Sequence, residues 1–295
     1  DPQGPLQRID PRDLLELIMA QQSNKEGPFL IGVDAGTESL RAGVFDLQGN
    51  PLAFSSTAYQ TTFPKPGWAE QNPQDWWEAL GKSVKNSISE AGISSSAVAA
   101  ICLDTTCCSV VALDENGDPL RPCLIWMDLR SAPQTEKVLA TGDKALRVNS
   151  NGQGPVSAEW MIPKSLWIKE NEPDLFEKAA TICEFQDYMN LHLTGRKCAS
   201  INNVSARWHY DRSQGGIPET MLEKLGLGDL SEKWPGDVLD LGETIGGLTP
   251  KAAEHLGLPK ELPVIQGGAD AFIGMVGLGV VKPGSLAFIT GSSHL

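Results

Sequence analysis

A mixed α/β fold is the class this sequence predicts, and three observations predict it. Residues 29–34, 40–46 and 51–59 are apolar stretches in close succession, separated only by turns. A capped helical stretch, 73–91, follows them. Beyond it, short strand-like runs occur among helical ones towards the end of the chain. A helical bundle lacks the first feature, and a β-sandwich lacks the other two.

The elements are read in order. Residues 1–28 form an N-terminal extension with charges of both signs and one weakly amphipathic stretch, Leu14 to Met19, read as a flexible lead-in that allows one short helix. Residues 29–34 are almost continuously apolar, which suits a strand buried on both faces. Gln48-Gly49-Asn50 supplies the tight turn between the second and third strands. Helix 73–91 has Asn72 as its cap, proline at its first position and Gly92 at its stop. Residues 98–103 (VAAICL) and 109–113 (SVVAL) read as two more strands, the second closed by the turn Glu115–Asp118.

The middle of the chain reads as helical. Residues 157–170 start behind Ser157 as a cap, and 173–179 start at a proline. Residues 184–194 stop at Gly195, and 218–226 stop at Gly226. After the Gly- and Pro-containing stretch 235–250 come a short helix, 251–257, and a strand, 262–266. The pair Gly267-Gly268, a helical run 269–278 and a last strand 285–290 complete the reading, with no internal repeat.

Composition narrows the partners. With 295 residues, 41% hydrophobic and 21% charged, the chain can bury a substantial core. A net charge of −13 and the lack of any basic run argue against nucleic acid and anionic membrane surfaces, since phosphate backbones require clustered Lys and Arg. No apolar run is long enough to span a membrane. The six cysteines form neither a CxxC pair nor a metal cluster with His, so all are read as thiols of a reducing compartment, the cytoplasm or equally a plastid.

Three stretches carry chemistry. In DAGTESLR, an apolar strand ends in Asp34-Ala35-Gly36-Thr37 and a second strand follows at once. Such a turn can gather N–H groups and a hydroxyl around phosphate oxygens, with the acid holding Mg²⁺, and Gly36 would let the backbone approach a ligand. It is also an ordinary hairpin turn on its own terms. In QGGADAFIGMVGLG, Asp270 falls in the first turn of a helix, where the helix dipole favours its ionised form and so a general base. Stabilising the helix start is the alternative use. In LAFITGSSHL a strand leads into Thr290, Gly291, Ser292 and Ser293, either a second phosphate cradle or a polar turn.

Taken in order, DAGT, a helix carrying Trp160 and Lys164-x-x-Trp167, GGADA and TGSS resemble the FGGY family of carbohydrate kinases, from about residue 29 onward. DTTCCSVVALD (104–114) and SAEWMIPKSLWIKEN (157–171) resemble its ribulokinase-like branch. Lys164, Trp167 and Ile168 match the family signature there, whereas Glu159 and Met161 depart from it. The resemblance implies the actin-like ATPase (ribonuclease H-like) fold: a sugar-binding domain over 29–262 and the beginning of a second, truncated domain of the same type over 263–295.

It further implies ATP and Mg²⁺ as cofactors, with Asp34, Gly36 and Thr37 on the first phosphate motif, Asp34 at the metal, and Thr290, Gly291, Ser292 and Ser293 on the second. Asp270 becomes the catalytic base and a sugar contact. Thr105, Thr106, Cys107, Cys108, Trp126, Asp128 and Lys164 become the remaining sugar-pocket residues. For Trp126, packing of an indole face on a sugar stands beside a core position. Trp160, Lys164 and Trp167 share one face by helical spacing, which a packed surface with a snorkelling lysine explains as well. The expected activity is phosphorylation of the terminal hydroxyl of a ketopentose, ribulose first, with a small-molecule sugar as partner and a homodimer left open. The family extends about a domain's length beyond the point matching Leu295, so a fragment, a short isoform or a non-catalytic sugar-binding remnant is expected. Another actin-like ATPase is the rival class.

Overall fold

A computed structural model describes residues 27–149 and 155–288. The predicted lead-in helix and the Thr290–Ser293 motif lie outside the described residues. Its first three strands are β1 (Phe29–Ala35), β2 (Ser39–Phe45) and β3 (Pro51–Ala58), followed by the short β4 (Glu70–Gln71) and α1 (Pro73–Ala91). Next come β5 (Val98–Thr105), β6 (Val111–Leu113), β7 (Cys123–Leu124), α2 (Ala132–Ala140), α3 (Met161–Asn171) and α4 (Pro173–Lys178). They lead to β8 (Thr181–Cys183), α5 (Phe185–Thr194), β9 (Ala199–Ser200), α6 (Ile201–Arg207), α7 (Glu219–Lys224) and α8 (Leu230–Lys233). The chain continues through β10 (Val238–Leu239), β11 (Thr244–Gly247), α9 (Pro250–Leu256), β12 (Pro263–Ile265) and α10 (Asp270–Gly277).

The main sheet has the order β11-β12-β5-β1-β2-β3. Its centre, β12-β5-β1, is parallel, and both flanks are antiparallel. The parallel centre matters most, because it puts the C-terminal ends of three strands at one edge. β12 is an interior strand of this sheet, so residues 263–265 belong to the same core layer as β1 and β5. α1 is capped as its sequence indicates: Asn72 Oδ1 accepts the Gln74 N–H at 3.2 Å, and Gly92 closes the helix in the left-handed region. It buries Trp76, Leu80 and Val84 in the core shared with the sheet. A second apolar cluster around Ile162, Leu166, Phe176, Val204 and Trp208 holds the helical middle together.

Several expectations are corrected. β1 is buried on one face only: Phe29, Ile31, Val33 and Ala35 are sealed, while Leu30 is exposed and Gly32 and Asp34 are half-buried. α3 begins four residues after the start read from Ser157, because the Ser157 hydroxyl accepts the Glu159 N–H at 3.2 Å and forms a local turn first. Trp160 therefore precedes the helix. Lys164 does not snorkel; it is completely buried. Residues 285–288 of the expected last strand carry no strand, and Leu286 and Phe288 are exposed. Apolar character by itself does not make a strand, which needs a neighbouring strand to exchange its backbone hydrogen bonds.

Candidate active site

Three acids reach one end of the parallel centre. Asp34 lies opposite Asp104 in the register of β1 and β5, and Ala35 lies opposite Thr105. Thr105 in turn bridges Ala269, and its N–H donates to the Gly268 carbonyl at 3.1 Å. That pairing delivers Asp270, the first residue of α10, to the same edge. Gly267 is required for the approach: a Cβ there would lie 1.7 Å from the Leu103 carbonyl oxygen.

The turn after β1 is tightly held. The Gly36 N–H donates to Ser39 O at 3.1 Å, so it is spent inside the hairpin and is not offered to a ligand. The Gly36 carbonyl accepts the Tyr59 hydroxyl, from just past β3. The Thr37 carbonyl accepts the Gln71 side-chain amide at 2.7 Å, and Thr37 Oγ1 accepts the Trp126 indole N–H at 3.0 Å. With that lone pair occupied, the hydroxyl hydrogen of Thr37 remains a donor. A Cβ at Gly36 would meet only ordinary contacts, one of them Asp34 Oδ1 at 3.8 Å. The fold therefore tolerates a side chain there, and its omission keeps space open beside the Asp34 carboxylate.

Asp34 is half-exposed and pairs with the exposed Arg41 guanidinium at 3.0 Å, a partner that sequence reading missed. Asp104, also missed, is half-buried; its Oδ1 is sealed from water and has no hydrogen-bond partner among the described residues. Burial first, and then the charges of Asp34 and Asp270, push the Asp104 carboxyl up to about 8, with Arg41 pulling the other way. Asp104 is thus mainly protonated at neutral pH. The signal was present, since DTT closes an apolar strand much as DAGT does.

Asp270 corrects the dipole expectation. Burial raises its carboxyl above the ordinary aspartate range, the Ala271 N–H opposes that rise, and Asp34 adds to it. Desolvation outweighs the helix N-terminus. Tyr59 titrates well above its ordinary value through burial and then the charge of Asp34. Among the described residues no group of three or more His, Cys, Asp or Glu side chains could hold a metal ion. Asp34 supplies one open carboxylate, which fits Mg²⁺, an ion that keeps much of its shell in water and phosphate oxygens.

Of the predicted sugar residues, Cys107 and Trp126 are half-buried near this edge. Thr105 is fully buried and donates its hydroxyl to Thr106 O at 2.9 Å; Thr106 donates its N–H to Ala35 O at 2.9 Å. Cys108 is buried in a left-handed conformation, φ 64°. Asp128 does not face the edge. It is fully buried, and its oxygens accept from Ala69 N at 2.6 Å and from the Arg130 Nε at 2.9 and 3.0 Å. Lys164 donates to two carbonyls, Cys108 O at 2.8 Å and Ile125 O at 2.6 Å, and so ties the Cys108 turn to the Ile125–Trp126 segment from a fully buried position. Glu184, read only as a helix start, lies under the same turn with its carboxyl raised by burial to about 7.

Comparison with known proteins agrees with this architecture. The profile of the FGGY family of carbohydrate kinases, N-terminal domain, matches residues 29–277. The chain is 33% identical over 295 aligned positions to a ribulokinase of Shouchella clausii, covering 90% of this chain and 52% of that protein. It is 29% identical over 272 positions to an autoinducer-2 kinase of Salmonella choleraesuis, covering 91% and 50%. The solved xylulose kinase of Rhodospirillum rubrum superposes with a TM-score of 0.79 at 28% identity, over 87% of this chain and 52% of that one. The fold is the actin-like ATPase fold of these sugar kinases. The chain belongs to the FGGY family of carbohydrate kinases, and it spans about half the length of the curated relatives it matches.

Proposed function

We propose that the protein containing this chain transfers a phosphoryl group from ATP to the terminal hydroxyl of a ketopentose, with ribulose yielding ribulose 5-phosphate. The observation carrying this reading is the convergence of Asp34 and Asp270, from opposite ends of the chain, on one strand-end edge. A hairpin turn and a helix start serving separate structural ends would have no reason to meet.

In this reading Asp270 accepts the proton of the attacking hydroxyl at a carboxylate oxygen. Its raised proton affinity makes it a stronger base than an ordinary aspartate, at the cost of being ionised over less of the pH range. ATP would supply the phosphoryl group, and Asp34 would hold Mg²⁺, whose chemistry is to neutralise phosphate charge. The Thr37 hydroxyl donates to a phosphate oxygen while Tyr59 and Trp126 hold its turn in place. Trp126 and Cys107 line the sugar side, and Thr290–Ser293 would complete the phosphate cradle. A cytoplasmic setting belongs to the same reading.

Ribulose is favoured by the ribulokinase relative and by the 104–114 and 157–171 stretches. The names of the autoinducer-2 kinase and xylulose kinase relatives make those two substrates the second reading. Thermal unfolding of the full-length protein against a ketopentose and polyol panel tests the choice. Ribulose should raise Tm progressively with concentration, because it binds only the folded form, and xylulose should do so less. Stabilisation by ATP without any sugar effect would point instead to another actin-like ATPase.

A further inference from the structure

The turn Cys107–Ser109 rests on a buried carboxylate that belongs to a different element. Glu184, immediately before α5, is fully buried. Its Oε2 accepts the Ser109 N–H at 3.2 Å and its Oε1 accepts the Trp208 indole N–H at 3.1 Å. The Cys108 N–H is directed at the same carboxylate. From the other side, Lys164 of α3 donates to the Cys108 carbonyl at 2.8 Å and to the Ile125 carbonyl at 2.6 Å, next to Trp126. The residue caught between these anchors has φ 64°, a conformation that a residue with a side chain adopts only when its surroundings impose it.

Helix capping does not account for the choice of glutamate. Ser, Thr, Asp and Asn are the preferred residues at a helix start, since their short side chains reach the first N–H groups. Glu184 closes a capping box with Asp187 at the start of α5, and its longer side chain reaches beyond that box to the turn as well. Its own N–H is satisfied by Asp187 Oδ2 at 3.0 Å. A buried carboxylate is costly to desolvate, so one kept there with several N–H partners fixes a geometry that a simpler residue would leave loose.

We propose that Glu184 is a positioning residue for sugar recognition: from beneath, it holds the left-handed Cys108 turn so that Cys107 and the adjoining Trp126 wall present one fixed surface to the sugar, and it never touches the sugar itself. The inference rests on the sugar-kinase reading above. Lys164 clamps the same turn from the opposite side, tying it to the Ile125–Trp126 segment. Sugar affinity is therefore set partly by two ionisable side chains buried behind the pocket.

Hydrogen exchange read by mass spectrometry, with ribulose and xylulose titrations on the same samples, tests this in the full-length protein. The set comprises wild type, Glu184→Ala, Glu184→Gln and Leu256→Ala, the last a core truncation in α9. In Glu184→Ala, amides of residues 107–110 should exchange about tenfold faster than in wild type and ketopentose Kd should rise about tenfold, as befits loss of a charged hydrogen-bond acceptor. Glu184→Gln, which keeps one acceptor oxygen, should fall between and serves alone if the alanine variant does not fold. Leu256→Ala should lose stability yet keep both the local exchange and the affinity. Unchanged exchange at 107–110 overturns the proposal, as does faster exchange with wild-type affinity. Failure of wild type to bind either ketopentose overturns the sugar reading, and the exchange data then still decide whether Glu184 holds the turn.

Discussion

At the strand ends, Asp34, Asp104 and Asp270 converge, and Asp34 pairs with the exposed guanidinium of Arg41. Beneath Trp68, by contrast, Glu70, Asp128 and Glu172 share two buried guanidiniums, Arg121 and Arg130. Arg130 also lies 3.7 Å over the Trp68 ring. The second cluster is densely paired: Arg121 donates to Glu172 at 2.6 and 2.7 Å and Arg130 bridges Asp128 and Glu70, with Arg130 Nη1 left without a hydrogen-bond partner among the described residues. The first is open, with an unpartnered buried oxygen and raised proton affinities. Carboxylates matched by cations stay ionised and hold a fold, whereas buried carboxylates left short of cations bind their protons more tightly and titrate closer to neutral pH.

The largest stability effect should therefore lie in the densely paired cluster. Asp128→Ala removes the carboxylate that takes most of the hydrogen bonds of Arg130 and leaves that buried guanidinium with Glu70 alone, which should cost about 3 kcal/mol in denaturant unfolding. Asp104→Asn should not destabilise at neutral pH, because it replaces a protonated carboxyl with a neutral amide of similar shape. Equal losses from the two substitutions would erase the distinction between the clusters.

The pH profile sharpens the same contrast. Asp104 and Glu184 carry folded-state values raised from 3.8 to about 8 and from 4.5 to about 7. Native protein then holds protons that the unfolded chain has released, so their contribution is complete below about pH 4 and is lost as pH rises through 7 and 8. His209, lowered from 6.5 to about 4 by burial, acts in the opposite sense: its contribution is present above 6.5 and lost as pH falls through 4. Tm should fall between pH 6.5 and 8.5, and Asp104→Asn should flatten that fall. A Tm that climbs over this interval would contradict the proton-holding state of Asp104.

Arg41→Ala should have the smallest effect on stability. An exposed pair of this kind contributes about 0–1 kcal/mol. Removing the guanidinium should nonetheless raise the Asp104 value further, because Arg41 is the group that lowers it. The carboxyl band of Asp104 followed by infrared titration would register that change.

Local signals account for what was legible in the sequence. Asn72-Pro73 and Gly92 bracket α1, whose ends coincide with the reading to the residue. β1 and the hairpin after it were legible from FLIGVDAGT. α2 was missed although Ala132-Pro133 opens it, a start signal comparable to that of α1. The two-residue strands β4, β7, β9 and β10 have no periodicity to detect. At the site, Asp34 and Asp270 stood out because glycines and turns flank them. Asp104 merged into the end of an apolar run, and Glu184 merged into a helix start. Asp128 was assigned to the pocket only through the family resemblance of IWMDLR, whereas Arg130, two residues on, pairs with the carboxylate in a buried cluster. Partners distant in sequence decide such cases.

The central claim is that the strand-end acids serve phosphoryl transfer and not the fold. Its most direct test is Asp270→Asn in the full-length protein, with ketopentose-dependent ADP release and Tm measured on the same sample. The account predicts that turnover falls by about 10²–10⁴-fold, the scale of a lost general base, while Tm stays near wild type. Turnover close to wild type in a folded Asp270→Asn protein would contradict it.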